Sequence, residues 1–277
     1  MNNKKRNFVV GLLSSLFIIA CTAGGYTVNT NQLTVVNPNQ NILGDKPYVA
    51  LIRFQSTFGR ANSTIVTTNV EMTQLGRRMK SGDTADIPAS IGFNRYPVVA
   101  RFSRDEVVNQ GKSPTIYGTI VIGMEEDIVG GSLVADAIRD TASVLEESLS
   151  RHVEAPDSWG IGLGLGTVLQ DVSNDLTSSS NGGGCGLFDT RACSWFKERI
   201  GDDLVGRAFY AAINIDAEYY NSLSALFDVF GGGQWPGCDH NSNPICYVRT
   251  ENRTLDLTGE GQGHYRVNMV SEFTTAN

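Results

Sequence analysis

The strongest constraint on the fold is an apolar–polar alternation with a period of two residues that returns in segment after segment. YVALIRF (48–54), STIVTTNVEM (63–72), YPVVARFS (96–103), IYGTIVIGME (116–125), AFYAAINID (208–216), YVRTENRTLDLTG (247–259) and HYRVNMVSEF (264–273) are rich in β-branched and aromatic residues. Side chains alternate between the two faces of a strand, so this pattern lays one apolar face on a core. Gly259, Gly261 and Gly263 permit a tight hairpin between the last two runs. In 116–125, Ile116, Gly118, Ile120 and Ile122 lie opposite Tyr117, Thr119, Val121 and Gly123, the pattern of a strand buried on both faces.

From Gly130 to about Val153 the period changes. Leu133, Ala137, Ile138, Val144, Leu145 and Leu149 share one helical face, and Asp136, Arg139, Asp140, Glu146, Glu147 and Arg151 occupy the other. EYYNSLSALFDVF (218–230) reads as a short helix or an aromatic-rich connection. The expected fold is therefore mainly β (α+β): an antiparallel β-sandwich-like body with one long amphipathic helix and disulfide-stapled loops. The body is placed at 45–277, as one domain or as two modules meeting near 155–185. A five-residue echo between 126–130 and 202–206 (EDIVG and DDLVG) is too short to establish a duplication.

The N-terminus has its own logic. Lys4, Lys5 and Arg6 precede an apolar run from Phe8 to Ala20. Such a run spans roughly 20 Å as a helix, at about 1.5 Å per residue. A hydrocarbon core is about 30 Å thick, so residues 1–20 suit a signal peptide rather than a permanent span. Ile18-Ile19-Ala20-Cys21 resembles the lipobox of bacterial lipoproteins. The resemblance implies a diacylglyceryl group on the Cys21 thiol and cleavage before that residue. Cleavage after Ala23 is the alternative, and it leaves a freely secreted protein. In the Gram-negative members an Asp after the Cys retains the protein in the inner membrane, so Thr22 implies the outer membrane or cell surface. Residues 22–44 carry no charge and are rich in Asn, Gln, Thr and Gly, so 21–44 is read as a lipid-anchored flexible spacer.

Composition narrows the partners. The signal segment holds three basic residues and no acid, so its removal takes the formal charge from −7 to −10. An acidic surface with no basic cluster beyond Arg77, Arg78 and Lys80 argues against nucleic acid. With Cys21 set aside, four cysteines remain, Cys185, Cys193, Cys238 and Cys246, an even number that suits disulfides in an exported chain. Bridges 185–193 and 238–246 are the simplest connectivity, and two other pairings remain open. The spacing lacks the short Cys-x₂₋₄-Cys of a zinc site.

Chemical signatures are sparse. The chain has no G-x-S-x-G elbow, and its three histidines are His152, His240 and His264. Gly160, Gly162, Gly164 and Gly166 alternate with apolar residues in the wrong register for a dinucleotide loop. Glu126, Asp127, Asp202 and Asp203 stand at strand ends, where acids cap turns, act in pairs on a glycan, or hold Ca²⁺. No other cofactor is suggested. Trp159, Trp195 and Trp235 fall in Gly- or Cys-flanked loops, positions from which aromatics grip a glycan or protein partner. The leading expectation is a lipid-anchored protein with a non-enzymatic binding or structural role through loops of its second half. The alternatives are a secreted hydrolase acting on glycans with paired carboxylates and a membrane-active protein.

Overall fold

A computed structural model describes residues 24–38, 45–69, 75, 78–98, 100–125, 131–155, 204–230, 237–239, 244–258 and 263–275. Its strands are β1 (Gly25–Asn37), β2 (Pro47–Thr57), β3 (Ile65–Thr68), β4 (Thr84–Asp86), β5 (Phe93–Tyr96), β6 (Thr115–Glu125), β7 (Leu204–Ile213), β8 (Ile245–Tyr247), β9 (Glu251–Thr258) and β10 (His264–Thr274). Among the described residues four helices join them: α1 (Ala89–Gly92), α2 (Arg104–Val108), α3 (Gly131–His152) and α4 (Ala217–Phe230). The mainly β, antiparallel character expected from the alternation is present.

All ten described strands belong to one hydrogen-bonded sheet, in the order β3-β2-β6-β7-β9-β10-β1-β4, with β5 on β1 and β8 on β7. A single curled sheet thus stands where two stacked sheets were expected. Its inner face is an apolar core in which Val49 and Leu51 of β2, Val121 of β6 and Tyr210 of β7 meet Tyr26 and Leu33 of β1, Leu255 of β9 and Tyr265 of β10. Direct bonds cross this core. The Tyr26 and Tyr210 hydroxyls are hydrogen-bonded, and the Tyr96 hydroxyl donates to the Gly118 carbonyl at 2.9 Å. Tyr265 donates to the buried Asp45 carboxylate at 2.8 Å. β7 meets β9 at a single pair, Arg207 and Thr258. A side chain at Gly206 would collide with the Leu257–Thr258 backbone there, so only glycine allows the approach.

The outer face divides in two. Behind β2, β6 and β7 it is apolar and roofed by helices: Ile138, Leu145 and Leu149 of α3 and Tyr219, Tyr220 and Leu223 of α4 pack on Phe54, Ile120, Ile122 and Phe209. β6 is consequently buried on both faces, as its sequence pattern requires. The turn between β2 and β3 seats the end of α3. Glu154 accepts backbone N–H groups from Asn62 (2.8 Å), Ser63 (2.8 Å) and Thr64 (2.6 Å). Burial works against its charge, yet these bonds hold the carboxyl below its ordinary pKa.

Several expectations are corrected. The spacer assigned to 21–44 is, from Gly25 to Asn37, a thirteen-residue strand paired along its length with β10. Composition concealed it because a bulge interrupts its alternation. Tyr26, Val28 and Thr30 face inward, the register then shifts between Thr30 and Gln32, and Leu33 and Val35 face inward again. The segment 96–103 is not a strand: β5 ends at Tyr96, and Ser103 caps α2. Only Ile65–Thr68 of 63–72 is described as strand. The amphipathic helix forms at Gly131–His152 but is not alone, because 218–230 belongs to the fourteen-residue α4.

Candidate functional site

The other half of the outer face, behind β9, β10, β1 and β4, has no helical roof among the described residues, and its side chains are polar. Pairing sets them in rows. Thr254 stands opposite Asn268, Asn268 opposite Gln32, and Gln32 opposite Asp86, so one row crosses four strands. Side chains directly opposite in an antiparallel pair share a face. The row is also bonded: Thr254 Oγ1 lies 3.2 Å from Asn268 Oδ1, and Asn268 Nδ2 donates to Gln32 Oε1 at 3.1 Å. Around it runs a groove of about 610 Å³ lined by Asn31, Gln32, Asp86, Asn252, Thr254 and Asn268, with Arg253, Met269 and Val270 at its floor and flank.

The β1 bulge shapes this groove. Asn31 is the extra residue, and its Oδ1 is buried without a hydrogen-bond partner among the described residues. Its carbonyl accepts from Ile87 N at 2.9 Å, which directs the chain from β4 into α1. Gly92, the last residue of α1, lies against the Thr30 carbonyl so closely that a Cβ would overlap the oxygen. One row further along, Phe93 stands opposite Asn29 and is 47% exposed, an aromatic ring on an otherwise polar face.

Charged groups frame the groove at both ends. Beyond the row, Asp256 receives Arg266 Nε at 2.8 Å and lies 2.9 Å from His264 Nε2. Burial opposes ionisation of Asp256, but these two donors hold its carboxyl below the ordinary value. At the other end β7 and β9 part, and the gap is filled by a polar cluster. Glu251 takes hydrogen bonds from Arg249 (2.6 and 3.0 Å), Arg253 (3.0 Å) and the Tyr210 hydroxyl (3.2 Å). Burial raises the pKa of Tyr26 and Tyr210, which keeps both hydroxyls protonated as donors. Arg253 also donates to the Cys238 carbonyl, linking the cluster to the Cys238–Cys246 disulfide (Cα–Cα 4.7 Å).

The residues singled out from sequence stand apart from this groove or outside the described structure. Cys238–Cys246 is bonded as the simplest connectivity has it. Cys21, Cys185, Cys193, Trp159, Trp195, Trp235, His240, Glu126, Asp127, Asp202 and Asp203 lie outside the described residues. β6 and β7 are antiparallel, with Met124 opposite Leu204. No group of three or more His, Cys, Asp or Glu able to hold a metal occurs among the described residues. The groove was missed because its residues are ordinary polar positions of strands. The signal available was chemical: NTNQ in 29–32, Asn252, Thr254 and Asn268 place amides and hydroxyls where solvated strands often carry Lys or Glu.

Among the described helices none is long and apolar enough to cross a membrane, which leaves β-barrel spanning unaddressed. Comparison with family models and with curated proteins finds no match to this chain.

Proposed function

We propose that the mature chain is an exported, lipid-anchored protein that acts by binding, and that it takes a glycan in the groove behind β9, β10, β1 and β4. One observation carries the reading: a bonded row of Thr254, Asn268 and Gln32, ending at Asp86, lines a groove of ligand size on a sheet face without a roof among the described residues. Amides both donate and accept, and so do sugar hydroxyls, so a row of them reads a hydroxylated polymer without needing a net charge. Arg253 is already paired with Glu251. Phe93 adds an apolar surface of the kind on which the C–H face of a sugar ring packs. A polyanionic ligand fits poorly, given the acidic mature chain.

The anchor rests on the lipobox-like Ile18–Cys21 behind a segment too short to span. Two measurements test the two halves of the reading. Mass spectrometry of the mature N-terminus is expected to find a diacylglyceryl-modified Cys21, and an unmodified terminus beginning after Ala23 would overturn the anchor. Titration against a panel of cell-envelope glycans is expected to find a ligand whose affinity falls about two- to tenfold in N268A and in Q32A, each removing a charge-free hydrogen bond worth roughly 0.5–1.5 kcal/mol. An unchanged affinity in both variants would remove the groove from the function.

A further inference from the structure

We infer that the mature protein stands directly on the bilayer, with the rim formed by Gly25, Thr274 and Arg95 against the lipid headgroups, rather than at the end of a stalk. The inference rests on the proposed lipid at Cys21 and adds to it an orientation and a contacting surface. Its first support is length. Gly24 is already buried, and β1 begins at Gly25 opposite Thr274. Three residue steps separate Cys21 from Gly24, so the chain between them reaches at most roughly 11 Å, at 3.3–3.6 Å per residue. That distance is close to one Debye length, about 8 Å under physiological salt, so charges on this rim feel the headgroups.

The second support is what the rim carries. β5 arrives there beside β1, pairing Arg95 with Thr27 and Tyr96 with Tyr26, and the Arg95 side chain lies against Gly25. Arg101 projects nearby with its guanidinium 4.8 Å from the centre of the Phe273 ring, one residue from the end of β10. The rim also carries Glu272, opposite Thr27, and Glu251, which Arg249 and Arg253 share. Arg95, Arg101, Arg249 and Arg253 thus stand against Glu272 and Glu251 here, on a mature chain of formal charge −10. Arg101 beside the Phe273 ring suits an anionic interface, where the ring enters the apolar boundary and the guanidinium stays at the headgroups.

This placement also sets the height of the groove. Gln32 lies seven residues along β1 from Gly25, at most about 23 Å at roughly 3.3 Å per residue. The groove then faces sideways and close to the membrane, where it meets material apposed to the bilayer.

The test uses the full lipidated protein, with its native disulfides oxidised, in vesicles of phosphatidylcholine and phosphatidylglycerol at about 7:3. Nitroxide labels are attached at T274C and, in a separate protein, at T258C on the far end of the sheet. Accessibility to oxygen and to a water-soluble nickel chelate is then read by electron paramagnetic resonance. The T274C label is expected to be several-fold more oxygen-accessible, relative to nickel, than the T258C label. Adding R95E and R101E is expected to abolish that difference in anionic vesicles while mass spectrometry still finds lipid on Cys21. Equal, aqueous accessibility at both labels in a protein shown to carry the lipid would overturn the orientation and leave the anchor standing. Absence of lipid on Cys21 would overturn the anchor, and this inference would fall with it.

Discussion

Gly92 shows how much a single residue can decide. Its Cα sits against the Thr30 carbonyl at the β1 bulge, and no side chain fits between them. In G92A the added methyl must displace either α1 or the bulge, at a cost of roughly 1–3 kcal/mol as for other overpacked sites. Thermal denaturation followed by circular dichroism is expected to show a lower Tm, and binding in the groove is expected to weaken with it. Glu106 makes a second point at the same scale. It completes the capping box of α2, accepting the Ser103 backbone N–H at 2.9 Å, and it pairs with Lys112 at 2.9 Å. The Ser103 bond first, and then Lys112, draw its pKa down from 4.5 to about 2. A carboxyl whose folded pKa is depressed adds stability above its unfolded value, and that contribution disappears as the pH falls through the folded value. The α2 cap is therefore expected to persist at pH 5 and to loosen between about 4.5 and 2. Carboxyl carbon NMR is expected to place the Glu106 midpoint near 2, and K112A to raise it; a midpoint left above 4 would remove the cap from the account.

Elements here owe their identity to different amounts of context. α3 is written into its own sequence: a period of 3.6, a polar face, and Arg151 in the last turn, where a cation suits the helix dipole. β6 is equally explicit, apolar on both faces because it is buried on both. β1 is the opposite case. Its Asn, Gln and Thr residues resemble a tether, and it becomes a strand because β10 supplies an antiparallel partner from Gly25 to Asn37. The two descriptions predict different behaviour. In a spacer, replacing Leu33 has no consequence; in this strand Leu33 is fully buried, and L33A is expected to cost about 2–5 kcal/mol. Urea denaturation measures this, and a shift below about 0.5 kcal/mol would return the segment to a spacer. The segment 96–103 erred in the other direction. Its apolar residues serve a connection that buries Val98, half-buries Phe102 and makes only an isolated bridge, Phe102 to Ile215, among the described residues beyond Tyr96.

At the scale of the whole molecule, the curl of one sheet creates two kinds of outer surface. Helices cover the apolar half, and the amide-bearing half has no roof among the described residues, which is how a binding face comes to lie opposite a packed one. Where β7 and β9 part, Glu251 gathers Arg249, Arg253 and Tyr210 and ties the gap to the disulfide-linked segment. Glu251 and Arg253 are about nine-tenths buried, so E251A leaves buried guanidinium charge without its shared carboxylate. The expected loss is about 3–5 kcal/mol, read from chemical denaturation. A loss below about 1 kcal/mol would show that the parted strands are held by packing alone.

The alternation and the amphipathic stripe determined, without any partner, that the chain is mainly β, that β6 is central and that α3 packs by one face. Each is a local pattern, repeated every two residues or every 3.6, and needs no knowledge of what lies across from it. The tertiary structure alone decided that Gly25–Asn37 is a strand, that ten strands make one curled sheet, and that Gln32, Asn268 and Thr254 stand in a row. Those facts depend on pairing between residues as distant as Gly25 and Thr274, and on a one-residue bulge that reverses which side chains face inward. A pairing across such a separation leaves no period in either strand. The amides of the groove were visible as residues from the start, and only the register of four strands made them a site.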